Sequence, residues 1–181
     1  MRRLLVFLLM LGAFGMALAK GDGKSYRYAS PGYFGSVRLG YGDALCVGVV
    51  NGYAFGKWFK MGVGVSTLYS IDKIVTNGVV EDEWMNLRVP IYLHLRADIL
   101  DRRVTPFVAL DCGGGLMYGK TYRKWENRYE LGFDGFSCVD LQVGVGVRLK
   151  GGKMIDVGVT AMLHTDRPPF YHLCGSIGFS W

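Results

Sequence analysis

The stretch that most constrains the fold of this chain runs from Leu87 to Ile99 and reads LRVPIYLHLRADI. Every odd position in it carries an aliphatic side chain. The even positions carry Arg88, Pro90, Tyr92, His94, Arg96 and Asp98. Because successive side chains of an extended strand point to opposite faces, this period of two predicts a strand with one apolar and one mostly polar face. At helical spacing the charges would lie on every side, so a helix is disfavoured. Such a strand fits either a sheet whose apolar face is buried, or a closed barrel whose apolar face meets lipid.

The N-terminus has the three-part layout of an export signal. Arginines at positions 2 and 3 precede an apolar run from Leu4 to Met16, and Ala-Leu-Ala at positions 17–19 supplies the small residues of a cleavage site. The apolar run is shorter than the roughly 20 residues of a membrane-spanning helix. Position 20 is Lys rather than Cys, so nothing indicates a lipid-anchored N-terminus. We expect residues 1–19 to be a signal peptide and residues 20–181 to form one domain.

Composition supports a barrel more than a helical membrane protein. After Met16 no apolar run is long enough for a spanning helix. The 27 glycines are interleaved with Val, Leu and Tyr in alternating segments, which is typical of strands that bend and pack closely. The formal net charge of +6, two units of which come from the predicted signal peptide, indicates an anionic surface partner. With an export signal present, we expect no nucleic-acid partner.

The four cysteines leave two interpretations open. Cys46, Cys112, Cys138 and Cys174 could form two disulfides in an oxidising compartment, with three possible connectivities, or they could be small apolar fillers of the interior. Their spacing matches no metal-binding motif. We expect neither a metal site nor another cofactor.

The rest of the chain divides into eight segments with strand character. We predict strands at Tyr33–Tyr41, Ala44–Ala54, Lys57–Tyr69, Leu87–Ile99, Val104–Tyr118, Phe136–Leu149, Met154–His164 and Tyr171–Trp181. Both faces of Ala44–Ala54 are largely apolar, so its orientation stays open. Tight turns alternate with longer connections at Ile71–Met85 and Gly119–Gly135, whereas the turn at Gly42-Asp43 is short. Most segments have ten residues or more, enough for a tilted strand to cross a bilayer.

The last strand carries the feature that points to a family. It reads YHLCGSIGFSW and ends on an aromatic residue, with Phe179 and Trp181 on its apolar face. The whole mature chain resembles a small eight-stranded outer-membrane β-barrel, similar to the membrane domain of outer-membrane protein A and its porin-like relatives. The resemblance implies an all-β, antiparallel, up-and-down transmembrane barrel in the outer membrane of a Gram-negative bacterium, with lipopolysaccharide and outer-membrane lipid around it. It also implies that Phe179 and Trp181 belong to the signal read by the barrel-assembly machinery.

The resemblance implies a location and a non-enzymatic structural or surface-interaction role, such as adhesion or envelope integrity. Eight strands enclose a space that side chains fill, so we expect no open diffusion channel. We predict a network of charges in this lumen. Its members are Arg38, Arg88, His94, Arg96, Asp98, Asp111, Asp140, Arg148 and Asp156.

Buried charges must be paired, so partners can be predicted. A three-residue turn, Gly151-Gly152-Lys153, would place Arg148 directly across from Asp156. We also expect Arg96 to pair with Asp111 or Asp140. The network serves either as a salt-bridged plug, which we favour, or as a path for protons or ions.

The connection Gly119–Gly135 mixes basic and aromatic residues. They are Lys120, Tyr122, Arg123, Lys124, Trp125 and Arg128. Such a surface could bind lipopolysaccharide phosphates or a protein partner. Alternatively, both strands simply extend past the membrane, with Tyr and Trp at the interface.

Two other function classes remain possible from the sequence. A lipid-modifying barrel enzyme would draw on His164, His172, Ser176 and Asp166, although no G-x-S-x-G motif is present. A soluble, lipocalin-like exported barrel would bind an apolar ligand, and it would need the apolar faces to point inward. Period two alone does not decide which face is outside.

Overall fold

The computed structural model describes residues 31–76, 79–123, 128–149, 152–165 and 170–181, and side chains within 31–71, 85–119, 131–149, 152–165 and 171–181. The predicted signal peptide lies outside the described residues. No helix in the described ranges is long and apolar enough to cross a membrane.

The described chain is a closed antiparallel barrel. Its strands are β1 (Gly32–Gly42), β2 (Ala44–Ala54), β3 (Phe59–Thr76), β4 (Val79–Asp98), β5 (Val104–Arg123), β6 (Arg128–Arg148), β7 (Met154–His164) and β8 (Phe170–Ser180). Each strand pairs with the next in the chain, and β8 pairs with β1 to close the sheet. The predicted all-β, eight-stranded, up-and-down barrel is therefore confirmed.

The two long connections predicted from the sequence are mostly strand, and this part of the prediction was wrong. The pairing of β3 with β4 continues beyond the pair Ile71 and Met85 as far as the pair Thr76 and Val79. The pairing of β5 with β6 continues as far as the pair Arg123 and Arg128. The hydrophobic alternation used for prediction fades there, but each hairpin still satisfies its backbone hydrogen bonds within its own ladder. The ladder between β4 and β5 ends at Leu87 and Tyr118, so the two hairpins continue separately.

The barrel therefore has two different ends. We call the end with the connections 55–58, 99–103 and 149–153 the short-turn end, and the end with the two extended hairpins the long-hairpin end. β3 to β6 have 18 to 21 residues each, whereas β1, β2, β7 and β8 have 11 each.

Polar side chains line the inside, and apolar side chains face outward. In β4 the even residues from Asn86 to Asp98 are buried, while the odd residues Leu87, Val89, Ile91 and Leu93 are exposed. β2, whose orientation the sequence left open, turns Cys46 and Val50 inward. The soluble, lipocalin-like alternative needs the reverse arrangement, so this structure contradicts it.

Glycine on the inward face makes room for large side chains. Tyr92 lies against Gly64, where an added Cβ would clash with the tyrosine ring. Tyr92, Phe34 and Val50 form one of the small apolar clusters in the lumen. All four cysteines are free thiols, with Cys112 exposed and the other three buried.

Candidate functional site

The predicted network residues lie on the inward faces of five strands. The structure buries Arg88, His94, Arg96, Asp98, Asp111, Asp140, Arg148 and Asp156 in the lumen, and it leaves the Arg38 side chain 14% exposed. The described contacts of these residues fall into three groups along the barrel axis.

The densest group lies at the short-turn end around Asp98. Its carboxylate accepts hydrogen bonds from Arg96 Nε at 3.0 Å and Arg148 Nη2 at 3.3 Å, and Lys60 Nζ lies 3.3 Å away. Arg148 also donates to Asp101 Oδ1 at 3.1 Å, and Lys57 Nζ lies 2.6 Å from Asp101 Oδ2. We call Lys57, Lys60, Arg96, Asp98, Asp101, Arg148 and Asp156 the short-turn cluster.

Arg96 is held from several directions. Besides Asp98, its Nη1 donates to Asp156 Oδ2 at 2.8 Å, and its guanidinium carbon lies 3.7 Å from the centre of the Phe107 ring. Charge-assisted hydrogen bonds and stacking on an aromatic face are both typical of buried arginine. Together they fix the side chain across the lumen.

Both predicted ion pairs are wrong. Arg148 pairs in register with Met154, and Asp156 pairs with Gly146, because the hairpin closes at the Leu149 to Lys153 hydrogen bond, one residue earlier in the chain than the turn predicted from the sequence. Asp156 binds Arg96 instead. Arg96 in turn contacts neither Asp111 nor Asp140 among its described ion pairs.

The second group lies in the middle of the lumen. Asp111 sits between two partners: Arg38 Nη1 donates to Oδ2 at 3.0 Å, and His94 Nδ1 lies 2.5 Å from Oδ1. Each oxygen of this carboxylate is therefore engaged, as the burial of an anion requires.

The third group extends from the level of Asp111 towards the long-hairpin end, and Asp140 and His164 in it have few described partners. Asp140 lies beside Asp111 in register, and its Oδ1 is 3.9 Å from His164 Nε2. His164 is fully buried, and neither of its ring nitrogens has a hydrogen-bond partner in the described chain. Arg88 Nη1 donates to Ser70 Oγ at 2.9 Å. Among the described contacts, this end of the lumen is held by hydrogen bonds and by the long approach of His164 to Asp140.

Sequence reasoning missed three members of the short-turn cluster. Lys60 lies on the inward face of β3, and the alternation at Gly62, Gly64 and Ser66 extends back to it, so that signal was present. Lys57 and Asp101 lie in connections, where no periodicity exists to orient a side chain.

The structure describes only part of the predicted surface-loop site. Lys124 and Trp125 lie outside the described residues. Lys120, Tyr122 and Arg123 belong to β5 and Arg128 to β6, with Arg123 opposite Arg128 in register.

The C-terminal aromatics are built into the barrel seam. Phe179 and Trp181 stack with ring centres 6.0 Å apart. The Trp181 backbone forms two 3.0 Å hydrogen bonds with Gly35, one in each direction. Their predicted role as an assembly signal stays a prediction.

Among the described contacts, Ser176 is not paired with a base. Ser176 Oγ accepts a hydrogen bond from Gln142 Nε2 at 2.8 Å and donates to the Gly158 carbonyl at 3.3 Å. The His164 and His172 rings lie edge to face, 5.6 Å apart. Asp166 lies outside the described residues. A serine nucleophile needs a base within hydrogen-bond reach, and the described contacts of Ser176 provide none.

Aromatic residues form two belts on the outer wall. The belt at the short-turn end contains Tyr33, Tyr53, Phe55, Trp58, Phe59 and Trp181. The other belt contains Tyr41, Tyr69 and Tyr171. Phe59 and Tyr69 are ten residues apart on β3, which corresponds to about 25 Å along the axis of a barrel with strands tilted by about 40°. Between the belts the outward side chains are mostly aliphatic.

Comparisons with known proteins place the fold. No protein-family model and no curated protein sequence matches the chain. Among solved structures, Neisserial surface protein A matches with a TM-score of 0.53 and 9% identity, over 82% of this chain and 92% of that one. The N-terminal β-barrel domain of Pseudomonas aeruginosa OprF matches with a TM-score of 0.45 and 10% identity, over 82% of this chain and 96% of that one. Ail, the attachment invasion locus protein of Yersinia pestis, matches with a TM-score of 0.43 and 7% identity, over 82% of this chain and 95% of that one. This chain thus has the fold of the small eight-stranded outer-membrane barrels.

Proposed function

We propose that this chain is an exported, integral outer-membrane β-barrel of a Gram-negative bacterium with a structural and surface-interaction role, not an enzyme. The observation that carries the proposal is the outer wall, where an aliphatic band about 25 Å tall lies between two aromatic belts. A bilayer solvates this pattern, because its core takes up the aliphatic residues and its interfaces take up Tyr and Trp. In water the same wall would be one large exposed apolar surface. The similarity in fold to Neisserial surface protein A agrees with a surface location.

The short-turn cluster argues for a closed barrel. Eight strands leave room for side chains but not for a wide channel. Arg96 and Arg148 cross the lumen to reach Asp156, Asp98 and Asp101. We infer that the cluster is a salt-bridged plug that fixes the barrel shape, and that solutes do not pass.

The two extended hairpins are the parts available for interaction. With β1 facing the periplasm at its start, an even number of strands puts the long-hairpin end outside the cell. We infer that the β5–β6 hairpin, with Lys120, Tyr122, Arg123, Lys124, Trp125 and Arg128, binds lipopolysaccharide phosphates or a protein on another surface. Basic and aromatic groups suit both ligands.

The membrane location can be tested with two arginine substitutions at similarly exposed positions. Val63 is 59% exposed and lies between Phe59 and Tyr69 on β3, whereas Leu131 is 66% exposed and lies beyond Phe133 on the extended part of β6. In a bilayer Val63→Arg should lower the free energy of unfolding by about 2–4 kcal/mol, since arginine near the midplane is costly. Leu131→Arg should lower it by about 1 kcal/mol or less.

Unfolding is followed by urea titration in lipid vesicles, with folded and unfolded protein separated on unboiled gels. Envelope fractions washed at alkaline pH give the location of the wild-type chain. Equal losses for the two variants, or release of the wild-type chain into the wash, would contradict the proposal.

A further inference from the structure

We propose that the short-turn end of the barrel binds the phosphate group of an anionic phospholipid through three exposed cations, Arg102, Arg103 and Lys153, which we call the basic rim. This inference rests on the proposed function, which places the short-turn end on the periplasmic side, away from the lipopolysaccharide. It goes further by naming the class of lipid that this end prefers and the residues that select it.

The two connections that carry the basic rim are joined by backbone hydrogen bonds. Arg148 N donates to Arg103 O at 2.7 Å, and Leu149 N donates to Lys153 O at 2.8 Å. Because Arg148 and Leu149 are consecutive, Arg103 and Lys153 lie on either side of one segment, about 10 Å apart, which is two strand spacings. Their long side chains can therefore reach the same headgroup.

The basic rim has no acidic partner among the ion pairs of the described residues. In the described parts of the three connections, residues 55–58, 99–103, 149 and 152–153, the other charged side chains are Lys57 and Asp101. The Asp101 carboxylate is engaged by Lys57 Nζ at 2.6 Å and by Arg148 Nη1 at 3.1 Å. These connections therefore carry a surplus of exposed positive charge, which attracts an anion.

The basic rim lies just beyond the aromatic belt of the short-turn end. Trp58 belongs to that belt, and its carbonyl accepts a hydrogen bond from Asp98 N at 2.8 Å. Arg102 and Arg103 follow Asp98 in the connection that leaves the barrel wall. Because interfacial tryptophan marks the edge of the hydrocarbon core, cations just outside it lie among the headgroup phosphates.

The charge of the basic rim indicates which headgroup it favours. Arginine and lysine bind phosphate through charge-assisted hydrogen bonds, and arginine can do so with two parallel N–H groups. A zwitterionic aminolipid carries its own ammonium group, which the basic rim repels. An anionic lipid such as phosphatidylglycerol is therefore favoured over phosphatidylethanolamine.

The test uses the full mature barrel, refolded in vesicles that contain equal amounts of phosphatidylethanolamine and phosphatidylglycerol. After extraction into a mild detergent, native mass spectrometry counts the lipids that stay bound. The rim variant combines Arg102→Gln, Arg103→Gln and Lys153→Gln.

Two controls separate the site from the overall charge. The first combines Arg102→Lys and Arg103→Lys, which keeps the charge of the basic rim. The second removes three positive charges from the other end of the barrel, with Arg123, Lys124 and Arg128 changed to Gln.

We expect the wild type and both controls to retain phosphatidylglycerol over phosphatidylethanolamine by about fivefold or more, because a single cation near an anionic lipid surface contributes about that factor. The rim variant should retain the two lipids within about twofold of each other. A wild type without the preference, a rim variant that keeps it, or a control that loses it would overturn the inference. If the barrel still fractionates with the membrane and migrates differently when boiled, the proposed function survives that result. Loss of membrane association would instead contradict the proposed function.

Discussion

The two ends of the lumen solve the problem of buried polar groups differently. At the short-turn end, the single carboxylate of Asp98 has three cationic partners, Lys60, Arg96 and Arg148, each within 3.3 Å. Towards the long-hairpin end, the described ion-pair contact of Asp140 is a 3.9 Å approach to the ring of His164, which is charged only if it is protonated. Because an ion pair weakens with distance and with imperfect hydrogen bonding, we expect the group around Asp98 to stabilise the barrel more than the contact between Asp140 and His164 does. We therefore expect the closed shape of the barrel to depend on the short-turn end, whereas the long-hairpin end carries the two extended hairpins.

The largest expected effect breaks the short-turn cluster. Asp98→Asn keeps the size of the side chain and removes the charge that three cations share. We expect a loss of about 3–5 kcal/mol in the free energy of unfolding, because breaking a buried pair leaves charges uncompensated. Urea titration in vesicles measures it. The control is Asp134→Asn, an exposed residue whose carboxylate accepts only the Gly135 N–H among its described contacts, and it should change stability by less than about 0.5 kcal/mol. Similar free energies of unfolding for Asp98→Asn and Asp134→Asn would contradict the proposal that the short-turn cluster is a salt-bridged plug.

A pair of histidines gives an intermediate test. His94 and His164 are both buried, but His94 contacts Asp111 whereas the His164 nitrogens have no hydrogen-bond partner in the described chain. His94→Phe should cost about 1–3 kcal/mol, since Asp111 would lose a partner. His164→Phe should be within about 1 kcal/mol of the wild type, because the ring contact with Phe136 at 5.3 Å can be kept. The measurement is the loss in the free energy of unfolding of each variant in the same gel assay. A larger loss for His164→Phe than for His94→Phe would contradict the expected difference between the two histidines.

The smallest effect on stability is expected from shortening a hairpin. Lys120 and Leu131 are paired in register, so residues 121–130 can be replaced by Asn-Gly, which favours a tight two-residue turn. Stability should change by less than about 1 kcal/mol, because the short-turn cluster stays intact. Binding to lipopolysaccharide or to cells should be lost.

A full-length variant with Arg123, Lys124 and Arg128 changed to Gln separates the contribution of charge from that of length. A shortened barrel that binds as well as the parent would contradict the surface role of this hairpin.

Much of the fold was predictable because alternation is a local property. The apolar outward face of β4 and the bounds of β2 and β7 follow from residues next to one another in the chain. The parts of β3 to β6 at the long-hairpin end, residues 70–76, 79–86, 119–123 and 128–135, were missed for the same reason. The alternation of polar and apolar residues fades there, and only pairing with the neighbouring strand makes these residues strand. The inward position of Lys60 could have been read from the parity of Gly62 and Gly64, whereas Lys57 and Asp101 lie in turns without such a signal.

The sequence alone determined the element type, the strand number and which side chains share a face, since a period of two is written in consecutive residues. The tertiary structure decided which face is inside, how the strands are staggered, and therefore which charges meet. Asp156 lies in the strand next to Arg148 yet binds Arg96, 60 residues away in the chain, because closure of the barrel brings β4 and β7 to opposite sides of one narrow lumen. A register shift of two residues keeps every side chain on its face but changes its partner. The ion pairs could therefore be identified only from the tertiary structure.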